Sequence, residues 1–200
     1  MVKKTLDKLF LGSVYLFLYL PIIILVIFSF NSSRLRGNFE GFSLVWYQNL
    51  FTDRAIMAAL YNTILIAVLS TIISTILGTF AGIGIHYLRG PRKDFILNLN
   101  YVPVINPDIV TAVSLMALFK FFSLKFGMQT MLLSHIVFSV PYVILNVLPK
   151  LSQLDENLLD AAMDLGATPF YSIVNVIIPQ IKPGIITGAL MAFTLSIDDF

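Results

Sequence analysis

Thirty-four consecutive residues, Ala55 to Leu88, contain no aspartate, glutamate, lysine or arginine. A helix rises about 1.5 Å per residue, and a bilayer's hydrocarbon core is about 30 Å thick. A run of this length therefore belongs to a membrane-crossing helix. The rest of the chain agrees, being 58% apolar and 12% charged, about half the charge of an ordinary soluble domain. The charges gather between further apolar runs, the pattern of a polytopic all-α membrane protein. The runs predict transmembrane helices over about 9–30, 58–86, 95–121, 127–148 and 183–200. Lys3, Lys4 and Lys8 precede the first, whose apolar stretch is too long for a cleaved signal peptide. The fifth is cut short at Phe200, and a sixth is expected beyond it.

Several function classes drop out at once. The chain has no cysteine and only two histidines, far apart, so no metal site is expected. A net charge of +2 on so apolar a chain gives no nucleic-acid footprint. It has no Walker-type phosphate loop, so this chain is not expected to be an enzyme or to bind a cofactor. Gly78 and Gly82 form a G-x-x-x-G with Gly84 nearby, read here as helix packing. His86 is expected at the membrane interface, and His135 in a hydrogen bond between helices.

Loop charge sets the expected orientation. With the N-terminus inside, the inner segments hold Lys3, Lys4, Lys8, Arg89, Arg92, Lys93, Lys150 and Lys182. The outer loops hold Arg34, Arg36, Arg54, Lys120 and Lys125. The cluster from Arg89 to Lys93 favours a cytoplasmic N-terminus. Residues 31–54 then form an outer loop, with Trp46 and Tyr47 as interfacial anchors.

The long polar segment 150–182 carries most of the information. Leu158, Ala161, Ala162 and Leu165 fall at helical spacing, predicting a short amphipathic helix over 154–165. Gly166 stands where a helix-ending glycine belongs, Thr168 fits an N-cap and Pro169 a first helical position. Ala161 and Ala162 keep one side thin. On these residues alone the segment is either a docking surface or an amphipathic connector lying on the membrane.

The acids at membrane depth bear on what is carried. Asp108 interrupts the third apolar run, and Asp198-Asp199 ends the fifth. A carboxylate in such a place is costly and points to function. Counting thirteen residues from Phe95 and fourteen from Gly184 puts Asp108 and Asp198 about 20 Å along their helices. With no lysine or arginine expected at that depth, they suit a cationic solute. Ser196 stands beside the acidic pair to add a hydrogen bond, and Trp46 is placed at the outer entrance. The alternative reading has Asp108 capping a helix that resumes after Pro107 and the acidic pair marking a helix end.

The run Asp160-Ala161-Ala162-Met163-Asp164-Leu165-Gly166, nine residues, then Val176-Ile177-Ile178-Pro179 resembles the EAA loop of type I ABC importer permeases. Asp160 stands for the glutamate, Val176 for an isoleucine and Ile178 for a leucine. The resemblance implies that 150–182 is a cytoplasmic coupling loop within a single transmembrane domain over 1–200. It implies Asp160, Ala161, Ala162, Gly166 and Pro179 as residues that engage a cytoplasmic ATPase dimer, which would hold the ATP and Mg. The Trp46-Tyr47 loop, the Pro107-Asp108 turn and Ser196-Ile197-Asp198-Asp199-Phe200 are similar to the second permease subunits of spermidine/putrescine ABC importers. That implies polyamine import across the bacterial inner membrane, a homologous second permease and an extracytoplasmic polyamine-binding protein. Within transport, a metal cation is the alternative solute. An ATP-independent secondary transporter and a non-transporting membrane scaffold are the alternatives of other classes.

Overall fold

A computed structural model describes residues 2–33 and 37–198, with side chains from residue 7. Every extended element is a helix, and the contacts fall into two compact units, residues 1–60 and 61–200.

In the first unit, helix α1 (Val2–Phe28) carries its apolar side chains from Leu9 to Ile27 exposed on every face. That is the surface of a helix solvated by lipid. The loop after it is closed by Asn31, which is 1% exposed. Its Nδ2 donates to the Asn38 carbonyl at 2.7 Å, and its Oδ1 accepts from the Glu40 amide at 2.9 Å. Phe30 stacks on Phe42 and on Tyr47, each at 5.3 Å between ring centres. Helix α2 (Val45–Thr52) follows, and the Asp53 carboxylate receives the Ala55 amide at 2.8 Å where α3 (Arg54–Tyr87) begins.

The second unit is built around helix α6 (Met128–Leu151). Gly78 and Gly82 of α3 face Val143 and Val147; a Cβ added at Gly78 would lie 2.6 Å from the Val143 Cβ. Gly184 and Gly188 of α9 (Ile178–Asp198) repeat the arrangement. A Cβ at Gly184 would lie 2.8 Å from the Asn146 carbonyl, and one at Gly188 3.1 Å from the Val143 Cα. Small residues four apart cut a notch into which a neighbouring helix settles. Here α6 is held by two such notches, one from each neighbour. Val143, Val147, Leu151, Ile83, Ile177, Ile181 and Ala192 form the buried core at that junction.

Two expectations are corrected. The helix expected over 95–121 is two: α4 (Pro91–Ile105) and α5 (Asp108–Phe121), bent by 107° at their junction. Asn106 precedes a proline and takes extended geometry (φ −73°, ψ 143°), because the proline ring excludes the α region from the residue before it. Pro103 lies within α4 and does not break it. The helix expected from 183 instead begins at Pro169 and runs through to Asp198 as one apolar rod, so Pro179 lies inside a helix and not in a loop. It comprises α8 (Pro169–Ser172), one wide π turn at Ile173–Ile177, and α9. A proline ring clashes with the carbonyl four residues back in regular α geometry. The wide turn contains Asn175, four residues before Pro179, and relieves that conflict. The other boundaries move less: 9–30 becomes 2–28, 58–86 becomes 54–87 and 127–148 becomes 128–151.

Candidate functional site: an acidic cleft and an exposed helical turn

Three helices of the second unit meet around a cleft of about 80 Å³. Helix α5 brings Asp108, in its first turn, where the positive end of the helix favours a carboxylate. Helix α6 brings His135, Phe138, Ser139 and Tyr142, at i, i+3, i+4 and i+7 along one face. Helix α9 brings Leu195, Ser196 and Asp198. Two carboxylates and no lysine or arginine line the cleft among the described residues. The depth estimate from straight helices was wrong in its route, since α4 and α5 do not form one rod. Even so, Asp108 and Asp198 share a cleft.

Ser196 is buried and already committed. Its Oγ lies 2.8 Å from His135 Nδ1 and 3.0 Å from the Ser70 hydroxyl of α3. These bonds tie α3, α6 and α9 together at the cleft wall. His135, expected only as a helix-bridging group, is therefore part of the cleft wall. Phe138, Ser139 and Tyr142 were missed, although their spacing from His135 was visible in the sequence. Asp199 lies outside the described residues.

Trp46 belongs to the first unit. Its indole Nε1 donates to the Asn31 carbonyl at 2.8 Å, which braces the loop. It also lines a shallow groove with Asn49, Leu50, Thr52, Asp53 and Ile56.

The segment after α6 folds into a short projection. Asp155 accepts the Asn157 amide at 2.9 Å, so helix α7 (Leu158–Asp164) starts later than the expected 154. It ends in a Schellman motif: the Gly166 amide reaches the Met163 carbonyl at 2.8 Å and the Ala167 amide reaches the Ala162 carbonyl at 3.2 Å. Gly166 has φ +90°, a conformation that suits glycine. Thr168 Oγ1 then accepts the Tyr171 amide at 3.3 Å, and Pro169 opens α8 as expected.

This projection has two faces. Leu154, Leu158, Leu159 and Ile173 pack against the core. Asp160, Ala161 and Gly166 are exposed on the other side. Ala162 is half-buried, so the two alanines do not share one outward surface. Leu165, 90% exposed, and Phe170, 68% exposed, stand out as apolar side chains on this projection, and nothing in the sequence singled out Phe170. Helical spacing groups Leu165 with Leu158, but α7 ends at Asp164 and Leu165 is exposed at its C-cap. Leu165 and Phe170 both stand near the glycine-ended turn of α7.

Comparison with known proteins converges on one family. Residues 74–200 match the binding-protein-dependent transport system inner membrane component. The chain is 36% identical over 199 residues to the spermidine/putrescine transport system permease protein PotC of Escherichia coli, covering 100% of this chain and 75% of that protein. The Haemophilus influenzae PotC is 36% identical over 194 residues, covering 97% of this chain and 76% of the relative. The putrescine transport system permease protein PotI of Escherichia coli is 38% identical over 192 residues, covering 92% and 68%. With its helical membrane architecture, acidic cleft and EAA-like turn, the chain belongs to the inner membrane components of binding-protein-dependent transport systems.

Proposed function

We propose that this chain is a permease subunit of an ATP-driven importer and forms part of the path by which polyamines cross the bacterial inner membrane. The observation that carries the solute class is the cleft in which Asp108 and Asp198 stand without a lysine or arginine. Two carboxylates near low-dielectric walls attract cations strongly. The rings of Phe138 and Tyr142 offer apolar and cation–π surface for an alkyl chain between ammonium groups. The likeness to PotC and PotI over nearly the whole chain supports polyamines above a metal ion.

In this reading the N-terminus and the α7–α8 projection face the cytoplasm, where Asp160, Ala161, Gly166, Leu165 and Phe170 meet an ATPase dimer. That dimer binds ATP and Mg. A homologous second permease completes the path, and an extracytoplasmic binding protein delivers the solute. The test is uptake of labelled spermidine and putrescine in cells carrying the complete system. D108N and D198N are expected to lower uptake at least tenfold with the complex still assembled. Unchanged uptake in both would sink the assignment of the path.

A further inference from the structure

We infer that Ser139 is a solute-binding residue, whose hydroxyl accepts a hydrogen bond from a terminal primary ammonium group and so selects amines with a full set of N–H donors. This rests on the cationic-solute reading of the cleft. Ser139 is 1% exposed, lines the cleft and has a hydroxyl with no hydrogen-bond partner.

That state is unusual for a serine on a helix, because the carbonyl four residues back is within reach. Ser134 on the same helix uses it, bonding the Thr130 carbonyl at 3.0 Å. Ser114 bonds the Val110 carbonyl at 2.8 Å and Thr194 the Leu190 carbonyl at 2.9 Å. Ser139 does not, and a buried hydroxyl left unsatisfied calls for an explanation. Among the described residues, the other buried side-chain groups without partners are Thr71, Thr75, Thr79, Thr111 and His86. None of these lines the cleft.

The kinds of acceptor at the cleft suit a primary ammonium group. A primary ammonium carries three N–H donors. Asp108 and Asp198 each bring a carboxylate to the cleft, and Ser139 adds a neutral hydroxyl acceptor. Ser196 is not available in the same way, being bound to His135 and Ser70. The sequence singled out Ser196 as the hydrogen-bonding serine. The structure makes Ser196 a positioning residue and passes the binding role to Ser139. A cleft of about 80 Å³ holds roughly half a dozen water-sized groups. That suits one aminoalkyl end of a polyamine better than its whole length.

The test uses the full complex (both permeases, ATPase and binding protein) in proteoliposomes. Uptake of labelled putrescine is compared with that of N,N,N′,N′-tetramethylputrescine, which keeps one N–H at each end. S139A is expected to lower putrescine uptake roughly tenfold, the worth of one charge-assisted hydrogen bond. Uptake of the tetramethyl analogue should stay within twofold. The isosteric pair S139T and S139V removes the concern that a smaller side chain disturbs packing. Threonine should keep most of the preference for putrescine and valine should lose it. Equal losses for both amines, or no loss for either, overturn the inference while leaving the permease reading intact. Wild-type complex that imports neither amine defeats the cationic-solute reading, and the inference with it.

Discussion

The Ser196 hydroxyl sits 2.8 Å from His135 Nδ1, and both groups are buried where α9 crosses α6. With the Ser70 hydroxyl 3.0 Å away, this small polar chain links three helices at the cleft that Asp108 and Asp198 also line. Interhelical hydrogen bonds in membranes are worth about 0.6 kcal/mol on average and about 1.7 at most. S196A removes two of them and is expected to cost about 1–2 kcal/mol. Thermal unfolding of the purified complex in detergent measures it, and an unchanged midpoint would remove the bracing role.

The glycine notches predict a sharp positional contrast. Alanine at Gly78 or Gly184 places a methyl 2.6 Å from the Val143 Cβ or 2.8 Å from the Asn146 carbonyl. Overpacking of this kind costs about 1–3 kcal/mol. Gly84 has nothing within 4 Å of an added Cβ, so G84A should be neutral or slightly stabilising through helix propensity. Denaturation in parallel of the three variants reads the difference directly.

Leu165 and Phe170 project from the α7–α8 turn with little of their surface covered. L165E and F170E should therefore leave stability within about 0.5 kcal/mol. Each should weaken co-purification of the ATPase at least fivefold, in keeping with their position beside Asp160 and Gly166. Full recovery of ATPase with both variants would move the docking surface elsewhere.

Gly166 tests the turn itself. Its φ of +90° costs an L-residue roughly 1–2 kcal/mol, and open space around it means that G166A carries strain without a clash. The expected outcome is a loosened α7 end, read as faster amide exchange at position 166 and at Ala167 and a reduced yield of ATPase complex.

Trp46 predicts a local effect. W46F keeps an aromatic ring but loses the 2.8 Å bond to the Asn31 carbonyl. About 0.5–1.5 kcal/mol of loop stability should be lost, visible as faster amide exchange at Glu40 and Ser43, whose amides hold the loop closed.

What the sequence disclosed follows from the range of each signal. The long charge-free runs, the Thr168-Pro169 helix start and the Gly166 stop are local, and each appears where local rules put it. The break at Asn106-Pro107 was local too, yet hydropathy averaged over it and joined α4 to α5. The fifth helix is expected from 183 because the polar segment ends at Lys182, but the π turn before Pro179 lets one helix continue from Pro169. The cleft was legible only in its charges. Asp108, Ser196 and Asp198 are visible as polar groups in apolar runs. Ser139 and Tyr142 are ordinary membrane-helix residues until α9 is packed against α6, which depends on Gly184 and Gly188.

The double notch around Val143 has a mechanical consequence. With glycines of α3 on one side and of α9 on the other, α6 has no slack in which to slide or roll without separating from both neighbours. Leu154, Leu158 and Leu159 seat the α7 turn on that same block. Ser139 on α6 and Asp198 on α9 are thus carried by the two helices that these notches lock together. Asp108 alone reaches the cleft from outside that locked pair, on the helix that follows the Pro107 bend.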